Sequence, residues 1–498
     1  MPGLSYKFID NTLFKLNIGY HLNEKMKIKL SGVAYSAELK INSLRINEQL
    51  SIKSNSKFRR SDFTNKRYFQ QIISQNLIEN IFDLNNNISL NVNYNSINQD
   101  YINFIDQEQL NYLFENNYVR NFDSKIEIKY SPARILKFSG NMLFDNNSRK
   151  REYNDFNSLI TNSYYKRNSD ANKMLFNLNS LLELKNITAI INADFESTKE
   201  EFKAESITDK LLQSDINEYI NIQRFNDYSS SKFRMNIAGI YRMRYRDSLF
   251  INLTASIFRY DTPYIENNDD YDESFSALYS SYKYNFNKNY NLKLIFEFKN
   301  RHIVFLKAEK SAQSNSLKTI RFASEMEFNH SKVFQSNPKV DIIANYNVYD
   351  FNFNEVNPNT FSYRQVSYLD SAIFWINNNN YLNVDILLRY SERGFLNWNE
   401  FSELPFKSNF EQLYKIMFYN KINQYTFGIG VGFYNFDLSD LLNQKTEQKS
   451  YVVSPEAYIS YKISENSFII FNGKYDFLNI NNAKRESVNA NLLCQIYL

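Results

Sequence analysis

QLYKIMFYNKINQYTFGIGVGFYNF, residues 412–436, is the stretch whose reading decides the fold. In its second half Tyr425, Phe427, Ile429, Val431 and Phe433 fall on one side of an extended chain, and Gln424, Thr426, Gly428, Gly430 and Gly432 fall on the other, because strand side chains alternate with period two. One face is oily and the other nearly bare. The first half repeats the pattern, with Tyr414, Ile416 and Phe418 against Lys415, Met417 and Tyr419. Only residues 420–423 separate the halves, so they are expected to be adjacent antiparallel strands. A soluble sandwich alternates in the same way. Repetition separates the two readings, since nearly the whole chain is built of such hairpins, more than a packed two-sheet core can use.

Composition agrees with one large unit. Across 498 residues there is no composition break, proline-rich linker or charge block, which predicts a single domain over 1–498. Aromatics are abundant (38 Tyr and 42 Phe beside 2 Trp), yet the mean hydropathy is −0.53. No run of 18 apolar residues occurs, which excludes helical membrane spans but not a transmembrane barrel, whose strands show only every second residue to lipid. With 58 basic and 54 acidic residues the net charge is +4, so no strong field attracts nucleic acid and none is expected as a partner. The single cysteine, Cys494, can form neither an internal disulfide nor a cysteine-rich metal site. Residues 1–17 lack a basic segment followed by an apolar core and a small-residue cleavage site. The expectation is that a signal peptide lies outside this chain; the alternative is a protein that is not exported.

Connections between the apolar-periodic segments alternate in length. Short ones fall at 23–25, 84–87, 131–134, 185–186, 246–247, 287–289, 331–338, 377–380, 421–423 and 464–466. Longer polar stretches lie between them, at 42–65, 106–117, 148–172, 199–230, 261–272, 306–316, 352–360, 391–409, 437–448 and 480–486. Short turns on one rim and long loops on the other are the organisation of a bacterial outer-membrane barrel. The expected fold is therefore all-β: a large transmembrane antiparallel up-and-down β-barrel of about 20–22 strands, with short periplasmic turns and long extracellular loops. An even count would bring both termini to the short-turn rim.

Several strands can be assigned faces. Within 232–246, Phe233, Met235, Ile237, Tyr241, Met243 and Tyr245 oppose Lys232, Arg234, Asn236, Arg242, Arg244 and Arg246. Within 289–301, Tyr290, Leu292, Leu294, Phe296 and Phe298 oppose Lys293, Glu297, Lys299 and Arg301; within 187–196, Ile191 and Phe195 oppose Asp194 and Glu196. A charge on lipid at the midplane costs about 2–4 kcal/mol, so these charges are expected to line a lumen. The lumen candidates are Lys232, Arg234, Arg242, Arg244, Arg246, Asp194, Glu196, Lys293 and Glu297, with Asp194 and Glu196 pairing across strands to Lys232 and Arg234.

The final segment, 488–498, sets Val488, Ala490, Leu492 and Cys494 against Asn489, Asn491 and Gln495 and ends the chain inside a strand. Here the pattern resembles the closing strand by which bacterial outer-membrane barrels are recognised for insertion, and the hairpin periodicity resembles porin and TonB-dependent receptor barrels. The likeness is architectural and spans nearly the whole chain. It implies a bilayer, lipopolysaccharide and the outer-membrane insertion machinery as partners. Two departures stand out: the penultimate Tyr497, rather than the last residue, is aromatic, and the globular plug of a receptor is absent from this chain.

Enzyme chemistry leaves little trace. His21, His302 and His330 are far apart, and none of the 10 glycines builds a nucleophile elbow or a phosphate loop, so neither an enzyme nor a cofactor is expected. Glu266, Asp269, Asp270, Asp272 and Glu273 offer oxygen ligands without the spacing of a calcium loop; a solvated loop competes with a weak cation site. Lys57, Arg59, Arg60, Lys66 and Arg67, with Arg149, Lys150 and Arg151, are expected in outer loops, where they could meet anionic lipopolysaccharide. The functional expectation is a channel or transporter admitting small solutes through a charged lumen. The alternatives are the barrel of a larger TonB-dependent-type receptor or assembly machine, and a surface adhesion or anchoring barrel.

Overall fold

The computed structural model describes residues 3–9, 11–25, 28–63, 67–83, 86–106, 111–153, 165–206, 226–264, 267–330, 333–351, 360–397, 402–464, 467–481 and 483–495. Among the described residues each strand pairs with the next in sequence, except where one strand is broken into two segments that each pair with the strands on either side, and every pairing is antiparallel. In chain order the strands begin with β1 (Gly3–Ile9), β2 (Thr12–Lys25), β3 (Ile28–Arg45), β4 (Leu50–Phe63), β5 (Arg67–Ile81) and β6 (Asn87–Asp106). Next come β7 (Asn111–Ala133), β8 (Leu136–Tyr153), β9 (Tyr165–Glu183), β10 (Ile187–Ser206), β11 (Tyr228–Arg244) and β12 (Asp247–Asp261). Then follow β13 (Tyr271–Asn287), β14 (Tyr290–Phe305), β15 (Asn315–His330), β16 (Phe334–Ser336), β17 (Lys339–Tyr349) and β18 (Phe361–Trp375). Last are β19 (Asn380–Asn397), β20 (Ser402–Ile422), β21 (Tyr425–Asp440), β22 (Lys445–Lys462), β23 (Phe468–Ile480) and β24 (Ala483–Gln495). The one helical turn among the described residues, α1, is Ala308–Ser311.

The segments β16 and β17 keep one register against β15 and against β18, so they form a single line broken at 337–338. Pro338 explains the break, because it has no N–H to give to the ladder. Among the described residues the 24 segments thus lie on 23 lines, one more than the upper end of the expected range. The extra line is β4. Its sequence, LSIKSNSKFRRSDF, is too polar to stand out from a loop, so 42–65 reads as one long connection. With β4 in place, the turn after β2 falls on the rim of the long connections, and an odd count sets the start of β1 and the end of β24 on opposite rims. Among the described residues β1 pairs only with β2, and β24 only with β23.

Rim asymmetry survives in shortened form. Connections at 245–246, 288–289 and 423–424 face one rim; those at 262–270, 306–314 and 350–360 face the other. Asn423 takes φ 52° in its two-residue turn, a left-handed conformation that asparagine tolerates. Several polar stretches expected as loops are strand: β19 continues to Asn397, and β22 resumes at Lys445 after only 441–444. Strands that overrun the bilayer are wetted on both faces, so they lose the alternation that marks a strand.

The sheet is inverted with respect to a soluble core. Large apolar side chains on one face are open, among them Phe233, Leu294, Ile416 and Phe427, with Ile429 at 67 %. The crowded concave face buries small and polar groups instead: Ser61, Ser281, Ser367, Ser391, Ser454, Asp341 and Asp476. A contiguous apolar exterior of this extent needs a nonaqueous surrounding, whereas the polar interior needs water or partners.

Candidate functional site

The polar concave face is the candidate site, and period two fixes which side chains reach it. On β10 and β11, Asp194 stands directly opposite Arg234 and accepts hydrogen bonds from its Nε at 2.8 Å and its Nη2 at 2.6 Å. Asn177 of β9 donates to the same carboxylate. Glu196 stands opposite Lys232 but pairs with Lys173 on its other neighbour, β9, at 2.6 Å. Asn177, Asp194, Glu196, Lys232 and Arg234 line a recess of about 400 Å3. Lys232 has no carboxylate within salt-bridge distance among the described residues.

Arg242 and Arg244 are exposed near the short-turn rim, and the register slips by one residue between them. Arg246 lies in the turn 245–246, its guanidinium 5.0 Å over the ring of Tyr245. Among the described residues no carboxylate lies within ion-pair range of Arg242, Arg244 or Arg246.

A denser network spans β14, β15 and β17. Glu325 joins Lys293 at 3.3 Å to Lys339 at 3.2 Å, and the three residues are opposite one another in register. Four residues along, Glu297 pairs with Lys299 and stands 3.5 Å from Arg321, which also holds Asp341. Glu325 lies between two cations and Arg321 between two anions, so the wall is charged but its charges are paired in place. Arg321, Glu325 and Lys339 were not singled out from sequence. Their strand carries only a loose alternation, and cross-strand register has no marker in a single chain.

Glycines of the hairpin 412–436 do not leave that face bare. Tyr419 lies across Gly428, its Cε1 2.7 Å from where a Cβ would stand, and Met417 presses on Gly430, its Cα 2.8 Å from the corresponding point. Met417 is 2 % exposed. The glycines are a bed for long side chains of the neighbouring strand, a close approach that only a missing Cβ permits.

The acidic group in 266–273 does not converge. Glu266 lies outside the described residues, Asp269 pairs with Lys310, Asp270 with Lys307 at 3.7 Å, Asp272 with Arg259 at 3.9 Å, and Glu273 with Arg301 at 2.6 Å. Among the described residues no three His, Cys, Asp or Glu side chains come together as metal ligands would. The basic groups expected in outer loops are strand residues: Lys57, Arg59 and Arg60 sit on β4, and Arg149, Lys150 and Arg151 on β8. Arg60 binds Asp62 at 2.8 Å; the side chains of Lys66 and Arg67 lie outside the described residues. Of the histidines, His302 meets Asp350 at 2.8 Å and His330 meets the Tyr290 hydroxyl at 2.7 Å. The side chain of His21 lies outside the described residues. Cys494 is exposed.

A long antiparallel meander with an apolar exterior and a polar, charge-laced interior defines the class of barrel-type membrane sheets. Solved structures with a similar chain trace include the copper transporter OprC (8 % identity, TM-score 0.42, covering 93 % of this chain and 73 % of that one). An FrpB iron transporter from Neisseria meningitidis, F5-1 variant, is similar at 10 % identity and TM-score 0.43, covering 97 % of this chain and 80 % of that one. The alcaligin outer membrane receptor FauA from Bordetella pertussis is similar at 9 % identity and TM-score 0.40, with coverage of 97 % and 75 %. No protein-family model and no curated protein matches the sequence.

Proposed function

We propose that the chain is a barrel of a bacterial outer membrane that passes small polar solutes along its concave face. The observation that carries this reading is the inverted polarity: Ile429 and its row are open on one face, while Asp341, Asp476 and Ser454 are buried on the other. Soluble proteins rarely expose apolar surface on this scale, and lipid would reward it. Lipopolysaccharide would meet the long-connection rim. Solute preference would be set by the unpaired guanidinium groups at the opposite rim.

A second reading is favoured by the strand number. Barrels of about 22 strands are wide enough to need a plugged lumen, and 23 lines fall in that range. On this reading the chain is the barrel of a TonB-dependent-type receptor, and the polar wall seats a plug domain.

One pair of measurements tests both. Protein refolded in detergent should migrate differently in SDS before and after boiling, and in a planar bilayer it should conduct in discrete steps. Unchanged migration would remove the membrane barrel. Heat-dependent migration with no current would favour the plugged receptor over the open channel.

A further inference from the structure

Seven residues on seven consecutive paired strands stand directly opposite one another across the concave face: Trp375, Tyr381, Tyr419, Gly428, Tyr458, Asn472 and Asn491. Ring contact runs along the first part of the row. Trp375 and Tyr381 are 4.7 Å apart between centroids, Tyr381 and Tyr419 stack at 4.8 Å and 16°, and Tyr419 meets Tyr458 edge-on at 5.4 Å. Gly428 makes the row continuous, because Tyr419 can lie over β21 and reach β22 only where no Cβ intervenes. The row then passes from rings to amides. Asn472 and Asn491 are exposed, and neither amide has a protein partner among the described residues.

Two pairs of charges beside the row cancel in place, whereas Lys421, two residues from Tyr419 on the same face, makes no ion pair among the described residues, and Asp385 is held by the neutral side chains of Ser371 and Asn383. Lys415 pairs with Glu456, and Lys474 with Asp476 at 3.1 Å. An open recess of about 260 Å3 lies between them, lined by Lys415, Tyr419, Glu456, Tyr458, Lys474 and Asn491.

We infer that this row is a subsite for a neutral carbohydrate. A pyranose ring has an apolar face of C–H groups that lies well on tyrosine, and a rim of hydroxyls that both donate and accept, as a primary amide does. An ionic ligand would find the charges that line the recess already paired. A wholly apolar one would leave Asn472 and Asn491 without the partners that water gives them. The recess is slightly smaller than a drug-sized pocket, so one sugar unit seats in it while its neighbours lie along the row. The inference rests on the proposed role of the concave face as a solute path, but its test does not depend on conduction.

Trp375 ends the row and serves as its reporter; the other tryptophan, Trp398, is removed by W398F. The refolded 498-residue chain is titrated in detergent with three neutral hexasaccharides, maltohexaose, cellohexaose and xylohexaose, and Trp375 emission is followed. A saturable change with at least one of them is expected. Tyr458→Ala should weaken that binding about tenfold, the equivalent of one aromatic contact. Because Asn472 and Asn491 are exposed and unbonded, Asn472→Ala with Asn491→Ala leaves the fold intact and should weaken it as well. No saturable change with any of the three sugars would overturn the subsite, as would binding unaltered in the double amide variant or tighter binding of hexagalacturonate. A protein that binds sugar but carries no current would sink the transport reading alone; one that conducts but binds none would sink only the subsite.

Discussion

Arg321 holds Asp341 with three hydrogen bonds across the β15/β17 pair, Nε to Oδ1 at 2.9 Å and to Oδ2 at 3.1 Å and Nη2 to Oδ2 at 2.8 Å, and Glu297 stands 3.5 Å away on its other side. Asp341 is 8 % exposed, so removing its charge leaves a shielded guanidinium with Glu297 as its one remaining anion among the described residues. Asp341→Asn should destabilise by about 1.5–3 kcal/mol, the range for a charged hydrogen-bonded pair. Urea unfolding in lipid vesicles measures this. A loss no larger than that of the exposed pair Lys53→Met would show that the wall is too wet for Arg321 to matter.

Glycine replacements should split by site. Gly428→Ala forces the Tyr419 ring aside, and Gly430→Ala sets a Cβ against the Ile416 carbonyl oxygen and Met417; each should cost about 1–3 kcal/mol or more, as overpacking does, with Gly430 the costlier because backbone must shift. A Cβ at Gly239 meets nothing closer than the Thr188 carbonyl at 3.8 Å, so Gly239→Ala should be neutral or stabilise by about 0.4–1 kcal/mol through the unfolded chain. Equal costs at Gly430 and Gly239 would contradict the packing described.

Facing is tested by charge. Ile429→Arg and Leu294→Arg place a cation on the apolar exterior and should cost about 2–4 kcal/mol near the midplane. Asn472→Arg, on the concave face, should fold with little loss. The comparison is made by refolding yield and unfolding midpoint in vesicles, and similar costs at all three positions would invert the assignment of faces.

Asp440 closes the turn 441–444 by accepting from the Asn443 backbone N–H at 3.0 Å and the Asn443 side-chain amide at 2.7 Å. The backbone bond, then the amide, holds its carboxyl below the usual carboxylate range. A depressed carboxylate contributes above its unfolded pKa and loses that contribution as pH falls through the folded value. Amide exchange at Asn443 should therefore lose protection on acidification, beyond the intrinsic change in exchange rate. Protection that rises instead would show the bond absent in solution.

Faces were legible in the sequence and pairings were not, for a physical reason. Alternation is local, so Tyr425 to Phe433 could be assigned a side from the chain alone, and Tyr419 could be placed with Lys415 and Met417. Register is a property of two strands. Nothing in the residues around Asp194 says that Glu196 turns to Lys173 while Asp194 takes Arg234. The missed strand β4 carries Lys57, Arg59 and Arg60 within six residues of one another, and polar strand reads as loop wherever both faces can be wet. The row from Trp375 to Asn491 was hidden for the same reason, since it exists only after six registers are fixed.

Arg242 and Arg244 carry the last prediction. Carboxylates across the lumen wall could in principle neutralise them, and Glu297 and Asp341 are the obvious sources, but both are engaged by Arg321. Asp194 is held by Arg234 and Glu196 by Lys173, so neither is free to reach toward the short-turn rim. On the proposed channel reading the two guanidinium groups, which make no ion pair among the described residues although Asp247 stands opposite Arg244 in register, add positive charge at the short-turn rim, and such groups favour anions in a pore. Under a potassium chloride gradient the reversal potential should show chloride preference. Arg242→Ser with Arg244→Ser should move it toward zero, with no change in heat-dependent migration, because both side chains are exposed and outside any salt bridge among the described residues. A channel that prefers potassium, or one whose reversal potential does not respond to the double substitution, would remove these arginines from solute selection and leave the barrel as it is.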